Sequence, residues 1–419
     1  MRFDALGIAP ASFLLPAGHV ALSKWACVAC DQYTSQPEYW EEVRTLTADA
    51  PSCLNLVLPE CWLSRTAEMV PQINETMRRY LAEGVLEEQA EGFVLVERRT
   101  ESGSRLGLVC TVDLEQYDFT GRPTLIRPTE ETITARLPAR QAIRRGAPLE
   151  SSHILLLLDD PGRTVIEPLF ARRNELPALY DFPLMMGGGH LRGWLVSGEE
   201  ELAEAGSALE KLRTSLGEDP LLFAVGDGNH SLATAKAHWN EVKATLSPED
   251  QAAHPARYAM VEVENIHDEA LQFEPIHRVL TGVDGAALMA DWQAYCTQRG
   301  MTLADAPAQG SQAVTLVLPG EEKTLHIRQP DGPIPAATLQ RYLDNFLARH
   351  PEAGIDYIHG DDVLRSLAQQ PGAAGFLLPP MDKHAFFSAI RTLGTLPRKT
   401  FSMGHAHEKR FYMECRSIR

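Results

Sequence analysis

Cysteine is scarce in this sequence: its 419 residues include 7 cysteines, spread thinly along the chain. An odd number of cysteines without a dense cluster argues against a disulfide-stapled secreted fold and favours a reducing compartment. Cys27 and Cys30 have the spacing of half a zinc site or of a redox pair, but no second pair completes it. We therefore expect both thiols to be small buried residues.

Long apolar runs are also absent. No segment approaches the roughly 18 to 20 consecutive apolar residues of a membrane-spanning helix. Residues 1–22 contain Asp4 and prolines and lack a continuous apolar core, so they do not have the pattern of a signal peptide. The sequence predicts a soluble, cytoplasmic protein.

Positive charge is in short supply, with 39 Lys and Arg against 56 Asp and Glu and a formal net charge of −17. Binding to nucleic acid or to an anionic membrane requires a surplus of basic residues. The composition argues against both kinds of partner and leaves room for a local basic pocket. We expect small-molecule partners, and homo-oligomers are compatible with the sequence.

Apolar residues are plentiful, at 44% of the chain against 23% charged, which is typical of a globular protein that buries a sizeable core. The order of strand-like and helix-like segments predicts an α/β (α+β) fold with a mixed sheet and flanking helices. The length allows two or three domains. We place a main α/β domain at 1–281, which carries the expected site, and a smaller C-terminal α/β region at 282–419.

The stretch from Leu221 to Trp239, LLFAVGDGNHSLATAKAHW, has the clearest local pattern in the chain. Its apolar run Leu221–Val225 predicts a short buried strand. The following GDGN predicts a tight turn, because glycine and Asx residues adopt positive φ at low cost. A helix should then begin, with Asn229 or Ser231 as its N-cap.

A strand, a glycine turn and a helix start together form a position for an anion, since the first helix amides lack intrahelical partners. We expect Gly228, Asn229 and Ser231 to contact a phosphate there. Asp227 is a candidate catalytic group and Mg²⁺ ligand, and His230, which titrates near neutral pH, would contact the transferred group. A simple Asx turn with a histidine near the helix start is the alternative.

Two further polar clusters follow predicted strands. Asp31 and Gln32 end an apolar run, and α/β sheets hold ligands at strand ends; a solvated loop is the alternative. The second cluster follows the predicted strand from Tyr258 and offers a base, a metal ligand and anion contacts. Its candidates are Glu262 as a catalytic group, Glu264 as a Mg²⁺ ligand with Asp227, and His277 and Arg278 as ligand-binding residues.

The C-terminal string LPRKTFSMGHAHEKRFYMECR concentrates positive charge in an acidic chain. Arg398 and Lys399 are candidate phosphate ligands, and Lys409 and Arg410 belong to the same basic cluster. Local basicity of this kind suits a small anionic ligand. Ion pairs between a basic edge and the acidic body are the alternative.

Several of these strings carry a resemblance to known proteins. WACVACDQYTSQPEYW, LMMGGGH, DGNHSLATAK, HPARYA, FEPIHRV, DYIHG and LPRKTFSMG resemble, in order and over nearly the whole chain, the bacterial domain-of-unknown-function 1015 family. The family has no settled activity to transfer to this chain. The resemblance therefore identifies relatives without implying a reaction.

A more distant resemblance concerns the turn from Asp227 to His230, which is similar to the DG-x-HR turn of the ParB/sulfiredoxin superfamily. That superfamily includes nucleotide-binding partition proteins, sulfiredoxins and a free-serine kinase with a nucleotide phosphoryl donor. The resemblance implies a ParB/sulfiredoxin-like core that binds a nucleotide. Ser231 stands where the pattern has arginine, so a basic group from elsewhere, such as Arg398 or Lys399, would complete the site.

Together, these features favour a Mg²⁺-dependent, kinase-like phosphotransferase with a nucleoside di- or triphosphate as donor. Its substrate would be a small hydroxylated metabolite such as a serine-like amino acid. A nucleotide-binding regulatory protein without small-molecule turnover is the first alternative. A metal-dependent hydrolase built on His267, Asp268 and His277 is the second.

Overall fold

The computed structural model describes residues 3–134 and 137–419. The chain forms two compact units. The first contains the described residues up to Gln272 together with Gly404–Arg419, and the second contains Phe273–Met403. The expected boundary near residue 281 therefore falls at the end of the second unit's first strand, and residues 404–419 are part of the first unit.

The strands are β1 (Ile8–Ala9), β2 (Leu14–Pro16), β3 (Cys27–Val28), β4 (Leu86–Glu88), β5 (Phe93–Thr100), β6 (Gly103–Asp113), β7 (Ile126–Arg127), β8 (Leu149–Ser151), β9 (Leu155–Leu158), β10 (Ala178–Pro183), β11 (His190–Val196), β12 (Phe223–Asp227), β13 (Tyr258–Asn265), β14 (Phe273–Thr281), β15 (Thr302–Ala304), β16 (Gln312–Leu318), β17 (Glu321–Arg328), β18 (Gly354–His359), β19 (Ala373–Leu377), β20 (Phe401–Met403), β21 (Phe411–Tyr412) and β22 (Cys415–Ser417).

The helices are α1 (Leu22–Trp25), α2 (Pro37–Thr47), α3 (Thr66–Ala82), α4 (Leu137–Arg145), α5 (Ile166–Ala171), α6 (Glu199–Ser215), α7 (Asn229–Lys243), α8 (Pro248–Ala253), α9 (Gly285–Gln298), α10 (Pro335–Arg349), α11 (Asp361–Ala368) and α12 (Lys383–Leu393). Within the described residues, no helix combines the length and the apolar character that crossing a membrane requires.

The first unit is built on a mixed sheet, which confirms the predicted α/β class. Its order is β10-β11-β5-β6-β13-β9-β12-β7, with β1 paired to β6. The β13–β9 and β12–β7 pairs are parallel, and the other pairs along this order are antiparallel. The alternating segments Phe93–Arg98 and Arg105–Asp113 predict a hairpin around residues 100–103. It is present as β5 and β6, whose last pair is Thr100 with Gly103.

The sheet of the first unit separates two apolar cores. Along β5, Val94 and Val96 belong to one core, whereas Phe93 and Leu95 belong to the other. This division follows from the alternation of side chains across a strand. The four leucines of β9 are each at most 1% exposed, as expected for a strand in the middle of a sheet covered on both faces.

The apolar run from Trp25 to Ala29 predicts a strand, but this prediction is wrong in detail. The run begins as the last residue of α1 and continues as the two-residue strand β3. The indole Nε1 of Trp25 donates a hydrogen bond to the carbonyl of Met413 at 2.9 Å. A contact with the far end of the chain therefore fixes this tryptophan, and no local pattern reports such a contact.

The second unit has its own antiparallel sheet, in the order β15-β17-β16-β19-β14-β18, with β20 paired to β14. The segments Val314–Leu318 and Lys323–Ile327 predict a hairpin, which is confirmed as β16 and β17. The helix predicted from Lys383 to Leu393 is confirmed as α12. The second unit overlaps the C-terminal region expected at 282–419 over residues 282–403.

The last residues of the chain pack within the first unit. β21 pairs with β3, and β22 pairs with both β2 and β8. Just before β21, the main-chain carbonyl of Glu408 accepts a hydrogen bond from Arg105. The C-terminal segment is thereby fixed against β3 and β6, and it carries Lys409, Arg410 and Tyr412 into the interior of this unit.

Candidate functional site

The central turn forms as the sequence predicts, with one correction at the helix start. β12 ends at Asp227, and Gly228 adopts φ +80° as the N-cap of α7. Neither Asn229 nor Ser231 is the N-cap, because the helix already begins at Asn229. A Cβ at position 228 would lie 3.1 Å from the Cα of Ile154, so the close packing as well as the positive φ requires glycine.

Asn229 joins the helix start to the segment that follows β7. Its Oδ1 accepts a hydrogen bond from the amide of Thr129 at 3.0 Å, and its Nδ2 donates to the hydroxyl of Thr129 at 3.1 Å. The Thr129 hydroxyl donates in turn to the carbonyl of Val225 at 2.6 Å. Because Asn229 makes these contacts, its side chain stabilises the turn rather than presenting a free ligand group.

Asp227 forms an ion pair with a lysine that arrives from the C-terminal segment. The Nζ of Lys409 lies 3.1 Å from Oδ2 of Asp227, and Oδ1 accepts a hydrogen bond from the amide of Gly228 at 2.8 Å. Burial alone would raise the pKa of Asp227, but Lys409 and His153 outweigh it and lower the pKa. Asp227 is therefore ionised, and Lys409, only 6% exposed, supplies a buried positive charge.

His153 is the second positively charged group of the cluster. Its Nδ1 lies 2.6 Å from the hydroxyl of Tyr412, and its Nε2 lies 3.3 Å from Oγ of Ser231 and 3.7 Å from Oδ2 of Asp31. Burial would lower the pKa of His153, but Asp31, with contributions from Cys30 and Asp227, raises it to about 9. The imidazole is therefore protonated at neutral pH.

Asp31 approaches this cluster from the loop after β3. Its side chain remains 27% exposed, and its Oδ1 accepts a hydrogen bond from Nε2 of Gln32 at 3.0 Å. Two predicted ligand-binding residues, Asp31 and Ser231, thus meet at His153, which we did not predict. We call the set Asp31, His153, Asp227, Ser231 and Lys409 the Asp227 cluster.

The Asp227 cluster has the charge pattern of an anion-binding and proton-transfer site. Two carboxylates and two cations lie beside the first turn of a helix of 15 residues, whose N-cap has no side chain to bind the helix amides. Those amides and the two cations attract a phosphate, while a carboxylate can accept a proton. His230 is the second residue of this helix, and its carbonyl accepts a hydrogen bond from Thr234.

Glu262, predicted as a catalytic group, is instead buried in a network of ion pairs. Its side chain is 2% exposed and is bound by Nη2 of Arg98 at 2.7 Å and by Nε of Arg410 at 2.6 Å. Burial would raise the pKa of Glu262, but Arg98 and Arg410 lower it. In this arrangement the carboxylate neutralises two buried arginines and does not face a solvent-accessible site.

Glu264, predicted as a Mg²⁺ ligand, lies two residues further along the same strand and is also buried. Its Oε1 is 4.0 Å from Nη1 of Arg98. Burial raises the pKa of Glu264 to about 7, although Arg105 and Arg98 oppose this effect. Among the described residues, no three His, Cys, Asp or Glu side chains form a group that could hold a metal. The pair Asp227 and Glu264 is therefore not a preformed magnesium site.

The predicted ligand residues His277, Arg278, Arg398 and Lys399 belong to the second unit. His277 Nε2 lies 2.9 Å from Oδ1 of Asp361, and its Nδ1 accepts a hydrogen bond from the amide of Leu378. Arg278 donates to the carbonyl of Arg398 at 3.2 Å. Arg398 itself donates from Nε to the hydroxyl of Tyr357 at 2.7 Å.

The cations of the Asp227 cluster, Lys409 and His153, were not selected from the sequence. The sequence places Lys409 in the C-terminal basic cluster but does not distinguish it there from Arg398 and Lys399. The string KRFYMEC, in which charges adjoin a buried apolar run, was the available signal for Lys409. His153 immediately precedes a run of buried residues and has no local sequence signature.

The family model described as "Protein of unknown function (DUF1015)" matches residues 10–346. The chain belongs to this family. No curated protein matches the chain. The resemblance to this family that the sequence shows is thereby confirmed for most of the chain.

Several solved structures share a distant likeness with the chain. A free serine kinase mutant in complex with AMP has 12% identity and a TM-score of 0.39, and covers 74% of this chain and 91% of its own. A conserved hypothetical protein from Pyrococcus furiosus has 11% identity, a TM-score of 0.37, and coverages of 74% and 95%. C-terminally truncated SbnI from Staphylococcus aureus has 11% identity and a TM-score of 0.34, and the match covers 71% of this chain and 82% of SbnI. A free-serine kinase, named above with the distant resemblance, is thus among these structures.

Proposed function

We propose that this DUF1015 protein is a nucleotide-dependent, kinase-like phosphotransferase that acts on a small hydroxylated metabolite, such as a serine-like amino acid. The observation that carries the proposal is the ion pair between Asp227 and buried Lys409 at the start of α7. Phosphoryl transfer requires phosphates held by positive charge and a hydroxyl group oriented beside a proton acceptor. The Asp227 cluster offers both.

The phosphates of the donor would lie at the N-terminus of α7. The first amides of the helix, the ammonium group of Lys409 and protonated His153 all present positive charge there. Lys409 takes the role that we expected of Arg398 or Lys399. Its ion pair with Asp227 holds the ammonium group in place before a phosphate arrives.

We assign to Asp31 the role of accepting the proton of the substrate hydroxyl. Asp31 is more exposed than Asp227, at 27% against 19%, and its Oδ2 lies 3.7 Å from Nε2 of His153. Asp227 is already engaged by Lys409 and Gly228. Asp31 would accept the hydroxyl proton during transfer, and Asp227 would position Lys409.

Magnesium is part of this proposal as the partner of the nucleotide phosphates. Sites of this kind commonly combine one or two carboxylates with phosphate oxygens, and Asp31 and Asp227 are the two carboxylates that approach His153. Glu264 does not fit this role, because it is buried beside Arg98. When bound, the ion would neutralise charge on the phosphates.

A nucleotide-binding regulatory protein is the second candidate, because the same cluster would bind a nucleotide without catalysing turnover. The formation of a phosphorylated product separates the two functions. The observed contacts do not favour a metal-dependent hydrolase. His267 pairs with Asp159 at 2.8 Å and His277 pairs with Asp361, and among the described residues no group of three His, Cys, Asp or Glu could hold a metal.

The first test is a thermal-shift measurement with ATP, ADP, CTP, GTP and pyrophosphate, with and without Mg²⁺. A ligand at about 100 times its Kd stabilises the folded state by about 2.7 kcal/mol, which moves the midpoint by several degrees. We expect a Mg²⁺-dependent shift with at least one nucleotide. That nucleotide is then assayed for phosphoryl transfer to a panel of hydroxylated amino acids. The absence of any shift would refute both nucleotide-based functions.

Variants of Lys409, Lys399 and Asp31 test which lysine binds the nucleotide and whether Asp31 accepts the proton. Lys409→Met should weaken nucleotide binding about tenfold or more, whereas Lys399→Met, its matched control, should bind normally. Asp31→Asn should lower kcat by about 10²-fold or more, because a general base contributes about 10²- to 10⁴-fold. Nucleotide binding is measured on the same variant, because Asp31 also pairs with His153. Loss of binding in Lys399→Met but not in Lys409→Met would restore the sequence-based assignment.

A further inference from the structure

The loop after β3 is held firmly, although it contains no regular secondary structure. The amide of Gln32 donates to the carbonyl of Ala29 at 3.0 Å, and the indole Nε1 of Trp40 donates to the carbonyl of Gln32 at 3.0 Å. The amide of Gln36 donates to the carbonyl of Tyr33 at 3.0 Å. The side chains of this loop therefore occupy defined positions, including that of Asp31 in the Asp227 cluster.

Tyr33 has an unusual backbone conformation within this loop. Its φ is +54°, in the left-handed region that glycine and asparagine adopt easily and that a bulky residue rarely adopts. A turn that required only this conformation would be better served by glycine or asparagine. Strained residues of this kind cluster at ligand sites, where the position of the side chain is part of the function.

The ring of Tyr33 is stacked on the ring of Tyr39, at the start of α2. The two ring centroids are 3.7 Å apart and the ring planes differ by 10°. Tyr39 is itself packed edge-on against Trp40, with centroids 5.4 Å apart. Tyr39 thus covers one face of Tyr33, and the Tyr33 side chain still retains exposed surface. The result is a preorganised aromatic platform.

The backbone of Tyr33 is close to that of Asp31, which belongs to the Asp227 cluster. Tyr33 follows Asp31 by two residues, so their Cα atoms are no more than about 7 Å apart. Asp31 is in turn 3.7 Å from His153 in the cluster. A nucleotide whose phosphates lie at the start of α7 would therefore have an aromatic surface within reach of its base.

We propose that the base of the nucleotide stacks on the part of the Tyr33 ring that remains exposed. This inference rests on the proposed function, and it assigns the base-binding position of that site. Stacking on an aromatic side chain tolerates different bases, because every base has a π face. Tyr33 would therefore contribute affinity for nucleosides in general, with the larger purines favoured over pyrimidines.

The test compares two variants of Tyr33 and two classes of ligand. Tyr33→Asn removes the ring while keeping a residue that tolerates positive φ, and Tyr33→Phe is the matched control that keeps the ring. Binding of ATP and of inorganic tripolyphosphate, which has no base, is measured with Mg²⁺ for each protein. Tyr33→Asn should weaken ATP binding about 5- to 150-fold, the range measured for base stacking, and should leave tripolyphosphate binding unchanged.

The other outcomes separate this inference from the proposed function. If wild-type protein binds tripolyphosphate as tightly as ATP, or if Tyr33→Asn binds both ligands normally, base stacking is refuted and the phosphate site stands. If wild-type protein binds neither ligand, both proposals fail. Should Tyr33→Asn not fold, 2-aminopurine riboside triphosphate provides a direct reading: stacking should quench its fluorescence, and unchanged emission of the bound ligand would overturn the inference.

Discussion

His153 couples the charge of the Asp227 cluster to the stability of the first unit. Its pKa is raised from 6.5 to about 9 in the folded state, because Asp31 and its neighbours outweigh the effect of burial. A group with a raised folded pKa stabilises the protein fully below its unfolded pKa and loses that contribution as pH rises through the folded pKa. The window for this loss is therefore pH 6.5 to about 9.

We predict that the free energy of unfolding falls across this window by at most about 3 kcal/mol, since one pKa unit corresponds to about 1.4 kcal/mol. Urea unfolding at pH 6.5, 7.5, 8.5 and 9.5 measures the effect. The control is His153→Gln, whose side chain does not titrate. Subtracting its free energy of unfolding from that of the wild type at each pH removes the contribution of the other titrating groups. A difference that does not change with pH would show that folding does not raise the pKa of His153.

The buried charges of Glu262 and Lys409 have partners that are distant in sequence. Arg98 binds Glu262 across 164 positions, and Lys409 binds Asp227 across 182 positions. Removal of one partner from a buried pair leaves an uncompensated charge and typically costs about 3 to 5 kcal/mol. Unfolding measurements should therefore accompany every activity measurement on Lys409.

At the scale of elements, the turn between β10 and β11 shows why its glycines are needed. A Cβ at Gly188, which has φ −67°, would lie 2.2 Å from Cζ of Phe411 in β21. A Cβ at Gly189 would lie 1.9 Å from the carbonyl oxygen of Arg99. The glycine run lets the C-terminal segment and β5 approach this turn, so its role is in packing the segment that carries Lys409.

We predict that Gly188→Ala destabilises the protein by about 1 to 3 kcal/mol, because the added methyl group overpacks a buried contact. The measurement is a double-mutant cycle with Phe411→Ala, using urea unfolding. In the Phe411→Ala background, Gly188→Ala should cost much less than it does in the wild type. Equal costs in both backgrounds would mean that the ring of Phe411 is not what excludes a side chain at position 188.

For the whole molecule, the connection between the two units has a simple geometry. The chain leaves the first unit after Gln272 and returns to it at Gly404, whose amide donates a hydrogen bond to the carbonyl of Gln272 at 3.1 Å. The second unit is thus an insertion in the sequence of the first, between two residues that are neighbours in space. Insertions of this kind occur where the chain ends lie close together.

We predict that the first unit folds without the second. Residues 273–403 would be replaced by a short Gly-Ser linker, and unfolding would be followed by circular dichroism and urea titration. A single cooperative transition is expected, because both apolar cores and the C-terminal segment are retained. If the shortened chain is aggregated or lacks a cooperative transition, the first unit depends on the second for folding.

The excised protein also locates nucleotide binding. Every residue of the Asp227 cluster belongs to the first unit, so a thermal shift with nucleotide should survive the excision. Loss of this shift in a folded, excised chain would place a necessary contact within residues 273–403, where Arg398 and Lys399 lie.

The sequence by itself determined the elements whose causes are local. The strand, glycine turn and helix around Asp227 follow from an apolar run, a residue that reaches φ +80° and helical periodicity, all within about twenty residues. The β5–β6 and β16–β17 hairpins also depend on alternation and short turns. These local patterns were sufficient for the α/β class, and they select Asp227, Asp31 and Ser231 as candidate site residues.

Only the tertiary structure decided which charges belong together. The sequence shows basic residues at 398, 399 and 409 but not which of them reaches Asp227, and Lys409 does so because the C-terminal segment packs in the first unit. Likewise, Glu262 and Glu264 look like site residues until the burial beside Arg98 is known. Ion pairing and burial depend on contacts between segments far apart in the chain, and such contacts leave no periodic trace in the sequence.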